Sequence, residues 1–222
     1  MEYPRENVVD LDVSEPSSSA PSALGEGPWG LPEDPRTALL GRRGLVRAGL
    51  APQADATGSE EAYRAVRLCQ GVLEGSTEIP PGSALALEYN LDGLSGVSFD
   101  KGCYIGQEMT ARSHHVLVVR KRALPWALLG PAAQGALNET MGAQGLEIRA
   151  EGARRALGRA HAAVSLDGEA VAVAVGVSRL RESLAEGSEA FAVVGERRLE
   201  AVPFRPLWWP AEWGRGGEED SG

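Results

Sequence analysis

The dipeptide Asp167-Gly168 stands between two apolar, partly β-branched runs, 160–166 and 171–177, and Asp-Gly in that setting signals a two-residue type I′ hairpin turn. A second hairpin is predicted from Phe191-Ala192-Val193-Val194, then Gly195-Glu196, two arginines and Leu199-Glu200-Ala201-Val202. Val116-Leu117-Val118-Val119 reads as a strand, and Pro125-Trp126-Ala127-Leu128-Leu129 as another that Gly130-Pro131 ends. Short strands at this spacing bury their apolar faces as a small barrel or sandwich. The expectation is a C-terminal β-module over residues 116–205.

Upstream the pattern changes. Ala62, Val66, Leu68 and Val72 among charged residues predict a helix over 60–73, with Ser59 as its cap and Glu60 and Glu61 in its first turn. Cys69 falls on that helix as a core residue. Pro80-Pro81-Gly82 signals a turn, and residues 34–49 read as a short strand pair. Residues 10–30 are Ser, Pro, Gly, Ala and acids, which bury too little apolar surface to offset their ordering entropy and read as disordered or a long loop. Trp208-Trp209-Pro210 and Trp213 read as a core-packing clasp, with an exposed partner contact as the alternative.

Charge narrows the function classes. The chain carries a net −9, of which residues 1–34 hold −7 and Glu218-Glu219-Asp220 hold −3, so residues 35–215 sum to +1. A nucleic-acid binder should concentrate basic charge on its folded part, and this one does not. Arg120-Lys121-Arg122 is the best basic run and reads as a solvated strand end. Two cysteines, Cys69 and Cys103, build no disulfide framework, and neither a secretory apolar core nor a membrane-length apolar run is present. A reducing compartment fits this usage. Met1-Glu2-Tyr3-Pro4-Arg5-Glu6 is too acidic for a mitochondrial transit peptide.

The residues with the most chemical content are Lys101-Gly102-Cys103-Tyr104-Ile105-Gly106-Gln107-Glu108. Only a thiolate attacks electrophiles or ligates soft metals, and a nearby cation or helix N-terminus lowers a cysteine pKa from about 8.5 towards roughly 3.5–7.5. Lys101 lies two residues from Cys103, and Gln107-Glu108-Met109-Thr110-Ala111-Arg112 is mostly good helix former. Cys103 is therefore a candidate thiol or metal ligand, and a small apolar residue in a tight turn is the alternative that this flanking chemistry alone does not displace. Glu108 and Arg112 have the spacing of an i, i+4 ion pair. His114-His115, read as adjacent strand residues on opposite faces, does not predict a two-histidine metal site; either residue is open to a role beside Cys103 or to a structural one. His161 is assigned no role.

Residues 91–108, with Thr110-Ala111-Arg112 and Arg120-Lys121-Arg122, resemble the signature of the YgfZ-type proteins, relatives of the folate-dependent glycine-cleavage T-protein. The match is most similar to the mitochondrial branch, iron-sulfur cluster assembly factors that support 4Fe-4S maturation. Asp34-Pro35-Arg36, Gly71-Val72-Leu73-Glu74-Gly75, Pro80-Pro81-Gly82, the histidine pair and Trp208-Trp209-Pro210 extend it over roughly residues 34–213. Leu117 departs from it, since a glycine is expected shortly after the histidines. A further N-terminal half, which contributes most of the folate surface in the resembled family, is missing or replaced here.

The resemblance implies an α+β fold: a partial T-protein-like α+β domain followed by a C-terminal antiparallel β-barrel. The domains expected are a disordered acidic linker over 1–33, the α+β remnant over 34–115, the barrel over 116–205 and a Trp-rich tail over 206–222. Cys103 is the implied metal ligand, and Glu88, Asn90, Lys101, Tyr104, Gln107 and Glu108 are the implied cofactor-binding residues. The implied cofactors are tetrahydrofolate and a shared iron-sulfur cluster. A-type iron-sulfur carrier or scaffold proteins are the implied partners, and the mitochondrial matrix the implied location. The reading is a non-catalytic accessory factor in cluster assembly. Its alternatives are a folate-dependent aminomethyltransferase-like protein and a truncated, non-enzymatic binding paralogue.

Overall fold

The computed structural model describes residues 32–44, 59–130, 145–166, 171–185, 187–194 and 197–214. The chain divides into two compact units, residues 1–59 and 60–222.

In the first unit an isolated antiparallel bridge joins Glu33 to Arg42 around a 3₁₀ turn, Ala38–Leu40. The strand pair expected over 34–49 is thus reduced to a single bridge, and residues 45–49 lie outside the described residues. Asp34 organises the turn. Its buried carboxylate accepts from the Arg36 backbone N–H at 3.0 Å and from the Arg36 guanidinium at 2.9 and 2.7 Å. The Arg36 hydrogen bonds outweigh burial and hold the Asp34 carboxyl below its usual value.

The second unit is built on a closed antiparallel barrel. Its strands are β1 (Lys121–Leu129), β2 (Leu146–Ala150), β3 (Gly158–Ser165), β4 (Val171–Arg179), β5 (Ala190–Val194) and β6 (Arg197–Pro203). Around the barrel the order is β1-β4-β3-β2-β5-β6, and β6 pairs back onto β1 at residues 126–129. The α+β class and the C-terminal barrel stand as expected. β3 pairs with β4 and β5 with β6 as the two predicted hairpins require, but Leu166 N donates to the Val171 carbonyl at 3.1 Å, so four residues and not the expected two separate the paired ends of β3 and β4; Asp167-Gly168 and Gly195-Glu196 themselves lie outside the described residues. The acidic linker over 1–31 and the tail beyond 214 lie outside them too.

Two apolar layers explain the strand sequences. Leu124, Trp126, Leu128, Leu146, Ile148, Ala172, Ala174, Ala192 and Ala201 fill the barrel interior. Ala123, Ala162, Val164, Val173 and Val175 form a second buried layer with Leu68 of α1 (Glu60–Cys69). Helix α1 contacts β3 and β4. Strands covered on both faces read as continuous apolar runs instead of alternating ones, which is how β1 and β4 read. A register shift in β3 between Ala160 and Ala162 moves the interior set by one position, so Ala160 and Ala163 face the core while Ala162 and Val164 pack under the helix. His161 occupies that irregularity. Burial, then the Arg159 charge, lowers its pKa.

Trp126 is fully buried and satisfies its indole N–H on Ser178 Oγ at 3.1 Å. Helix α1 stops at Cys69, short of the expected Leu73. There Arg67 turns into the protein and forms a buried bidentate pair with Glu78 at 2.6 and 2.8 Å while also donating to the Val72 carbonyl. Glu78 lies on a single helical turn, α2 (Gly75–Glu78). Burial opposes the charge on Arg67, but the Glu78 carboxylate overrides it and raises the Arg67 pKa. The tryptophan tail packs as a clasp. Trp209 belongs to the barrel core, Trp208 donates to the Gln70 carbonyl at 2.9 Å, and Trp208, Trp209 and Trp213 meet edge to face.

Candidate functional site

The signature residues leave the barrel at the start of β1 and return to it. The departure is tightly fastened. Ala123 N donates to the Glu88 carbonyl at 2.6 Å, and Asn90, fully buried, donates its amide to the Ala123 carbonyl at 2.8 Å. Asn90 holds a left-handed backbone, φ 62°, a conformation that asparagine tolerates better than most residues.

Arg122 closes the anchor. It was expected on a solvated strand end with Arg120 and Lys121, but its side chain is only 5% exposed. Its guanidinium grips Asp92 with two bonds of 2.8 Å, donates to the Leu87 carbonyl at 2.9 Å and lies 3.4 Å from the Trp213 ring centroid. Its net effect is to tie the signature's first residues, β1 and the C-terminal clasp together. Gly93 completes the joint, because a Cβ there would stand 2.7 Å from both Trp208 and Trp213. The signal that sequence reading missed was Asp92, an acid placed where Arg122 could not remain solvated.

Beyond Leu94 the burial ends. From Ser95 to Lys121 no residue is buried. Within this excursion Cys103 is an exposed free thiol. Lys101 extends its ammonium over the Tyr104 ring, 4.7 Å from the centroid, so the cation shares the loop with the sulfur. The helix expected after the thiol is α3 (Gln107–His115), which begins after Gly106 in the left-handed region, φ 87°. Gln107 folds back, and its side-chain oxygen accepts from the Tyr104 N–H at 3.1 Å. Cys103 thus precedes the helix by about a turn and is separated from it by this local cap.

Three expectations are corrected here. His114 and His115 end helix α3 instead of lying on a strand; His114 stacks on Phe99 at 3.6 Å between centroids, and His115 meets both rings edge on. Among the described residues no ion pair joins Glu108 to Arg112, and no cluster of three metal-ligating side chains exists. Residues 116–119 belong to no strand: Val116 and Leu117 close helix α3, their N–H groups donating to the Arg112 carbonyl at 3.0 and 3.2 Å, and Val118 and Val119 lead on towards β1.

A groove of about 250 Å³ runs beside α3, lined by Leu85, Glu88, Met109, Leu117, Val118 and Arg120 among others. Of the implied cofactor residues it takes in Glu88 alone. Asn90 gives its amide N–H to the β1 backbone, its buried Oδ1 having no hydrogen-bond partner among the described residues, and Gln107 is bonded to Tyr104, while Lys101, Tyr104 and Glu108 lie exposed outside the lining. These residues do not fit a single pterin seat in this structure.

The described residues thus join a closed barrel to an exposed loop and helix that carry Cys103. No protein-family model matches the chain. It is 37% identical over 206 residues to the mouse (Mus musculus) protein named iron-sulfur cluster assembly factor IBA57, mitochondrial, an alignment covering 89% of this chain and 52% of that protein. The human (Homo sapiens) protein of the same name is 50% identical over 101 residues, 44% of this chain and 28% of that protein. A homologue from the fungus Mycosarcoma maydis is 44% identical over 113 residues, 49% of this chain and 27% of that protein. The chain is similar to these relatives over the stretches aligned, and it spans about half the length of the mouse protein and less of the others.

Proposed function

We propose that the chain is an accessory factor in iron-sulfur cluster assembly, working in the mitochondrial matrix, and that Cys103 supplies one ligand to a cluster held jointly with a partner. The observation that carries this reading is the position of Cys103: an exposed, free thiol at the outer end of a loop whose base is rigidly pinned. A cluster normally takes about four thiolates. This chain has two cysteines, and Cys69 is half-buried on α1, packed against the layer under that helix. The remaining ligands therefore come from the partner, for which an A-type carrier or scaffold protein has the right chemistry. On ligation the thiol proton leaves to solvent and the thiolate occupies one iron. Lys101, two residues away, offsets the negative charge of a thiolate-ligated cluster.

The cluster is cargo in this reading, and no turnover is assigned to the chain. Relatives named for iron-sulfur assembly and labelled mitochondrial support it. Among the described residues no helix is long and apolar enough to cross a membrane. The test is anaerobic reconstitution of the full chain with an A-type carrier. A cluster absorbance that Cys103→Ala diminishes and Cys69→Ala leaves intact is expected; an unchanged spectrum in Cys103→Ala removes the ligand role.

A further inference from the structure

Val116-Leu117-Val118-Val119 has the composition of a strand, yet the structure gives it no strand to pair with. Its side chains are outside: Val116 is 73% exposed, Leu117 51% and Val118 80%. Among the described residues the backbones of Val118 and Val119 make no hydrogen bond. The reason lies in how β1 is paired. On one side β4 runs alongside it as far as Lys121, and Leu180 N reaches the Arg120 carbonyl at 3.1 Å. On the other side β6 covers only residues 126–129, after which the Glu88 carbonyl takes Ala123 N and the groove opens beside 117–121. Val116 and Leu117 bond back to the end of α3, but Val118 and Val119 lead into β1 with apolar side chains and open backbone, which makes them a template for one more strand.

Charge says what kind of strand would fit. Arg120 and Lys121 flank the groove and are exposed, Arg112 stands exposed on the neighbouring helix, and Glu88 is the single acid in the lining. Met109, 62% exposed on α3, and Leu85, 45% exposed, supply apolar walls. The groove therefore favours apolar side chains at alternate positions with acidic residues beside them, while the segment's open backbone offers the hydrogen bonds.

We infer that residues 118–120 are a docking edge on which the cluster-carrying partner adds a strand, apolar on its groove face and acidic at its end, beside the loop bearing Cys103. This deepens the proposed function, resting on its assignment of a carrier partner, and separates two jobs within one excursion. Val118 and its neighbours hold the partner, and Cys103 meets the cluster.

The probe is a recombinant apo A-type carrier added to the full chain, read by hydrogen exchange and by equilibrium binding. The Val118 and Val119 amides should gain protection when the carrier binds. Val118→Pro, which removes the amide donor, and Val118→Asp, which sets an acid against an acid, should each weaken binding roughly tenfold or more. Unchanged melting of Val118→Asp, expected because the side chain is exposed, keeps the comparison free of misfolding. Absent protection at 118–119, undiminished binding by both variants or no binding of the carrier overturns the proposal. Protection that rises with the chain's own concentration, without carrier, assigns the edge to a second copy and overturns it too. A cluster lost in Cys103→Ala while binding to residues 118–120 fails would leave the ligand role standing and remove only the docking edge.

Discussion

Cys103 and Cys69 differ in the property that decides thiol chemistry, which is access of the ionised sulfur to a reagent. Cys103 is exposed on the loop, whereas Cys69 is half-buried against the layer beneath α1, where burial pushes its pKa up. Iodoacetamide at pH 8 should therefore modify Cys103 first, with Cys69 slower by roughly tenfold. Mass mapping over a time course reads this directly, and equal rates would show that the two thiols share one environment. The separation was legible in part. A thiol within Lys101-Gly102-Cys103-Tyr104 and one on an amphipathic helix differ in sequence context, but the side chain that Lys101 reaches, Tyr104, depends on how the loop folds.

Among the described residues, helix α3 and its flanks are fastened most firmly at the base, and Arg122 is the residue that makes the most contacts there. Arg122→Ala leaves the Asp92 carboxylate, 8% exposed, and the Leu87 carbonyl without their donor. Removing one partner of a buried ion pair typically costs about 3–5 kcal/mol, so denaturant melts should show a loss of that size. Arg122→Met combined with Asp92→Leu should recover most of it, because neither charge is then stranded. If the double variant is no better than the single one, the contact with Trp213 carries the stability instead. Sequence reading treated Arg120-Lys121-Arg122 as one solvated run, and the structure divides it by strand geometry. Neighbouring side chains on a strand point to opposite sides, so Lys121 remains in water while Arg122 turns inward. The same limit explains residues 116–119. Composition predicts the capacity to pair, and pairing requires a second strand that the barrel does not extend to that position.

Barrel and clasp form one cooperative body. Trp209 packs in the same core as Leu124, Trp126 and Ile148, and Trp208 bonds the turn after α1, so the C-terminal residues close the structure that the strands begin. The domain division that set residues 206–222 apart as a tail is not how the described part of that segment packs. Trp209→Ala should cost about 3–5 kcal/mol, on the order of 10 °C in Tm for a unit of this size, in a single transition. Circular dichroism and tryptophan fluorescence should melt together. Separate transitions would show a clasp independent of the barrel.

The hairpins, the strand identities in the C-terminal module, the helix after the cysteine and the chemical character of the motif follow from short stretches of chain. Turn residues, β-branching and helix propensity act within a few positions. Closure of the sheet through β1 and β6, the shift of phase at His161, the inward turn of Arg122 and the unpaired state of residues 116–119 each depend on groups distant along the chain. Long-range pairing and burial are chosen by the free energy of the assembled core, and no local window of sequence contains that sum.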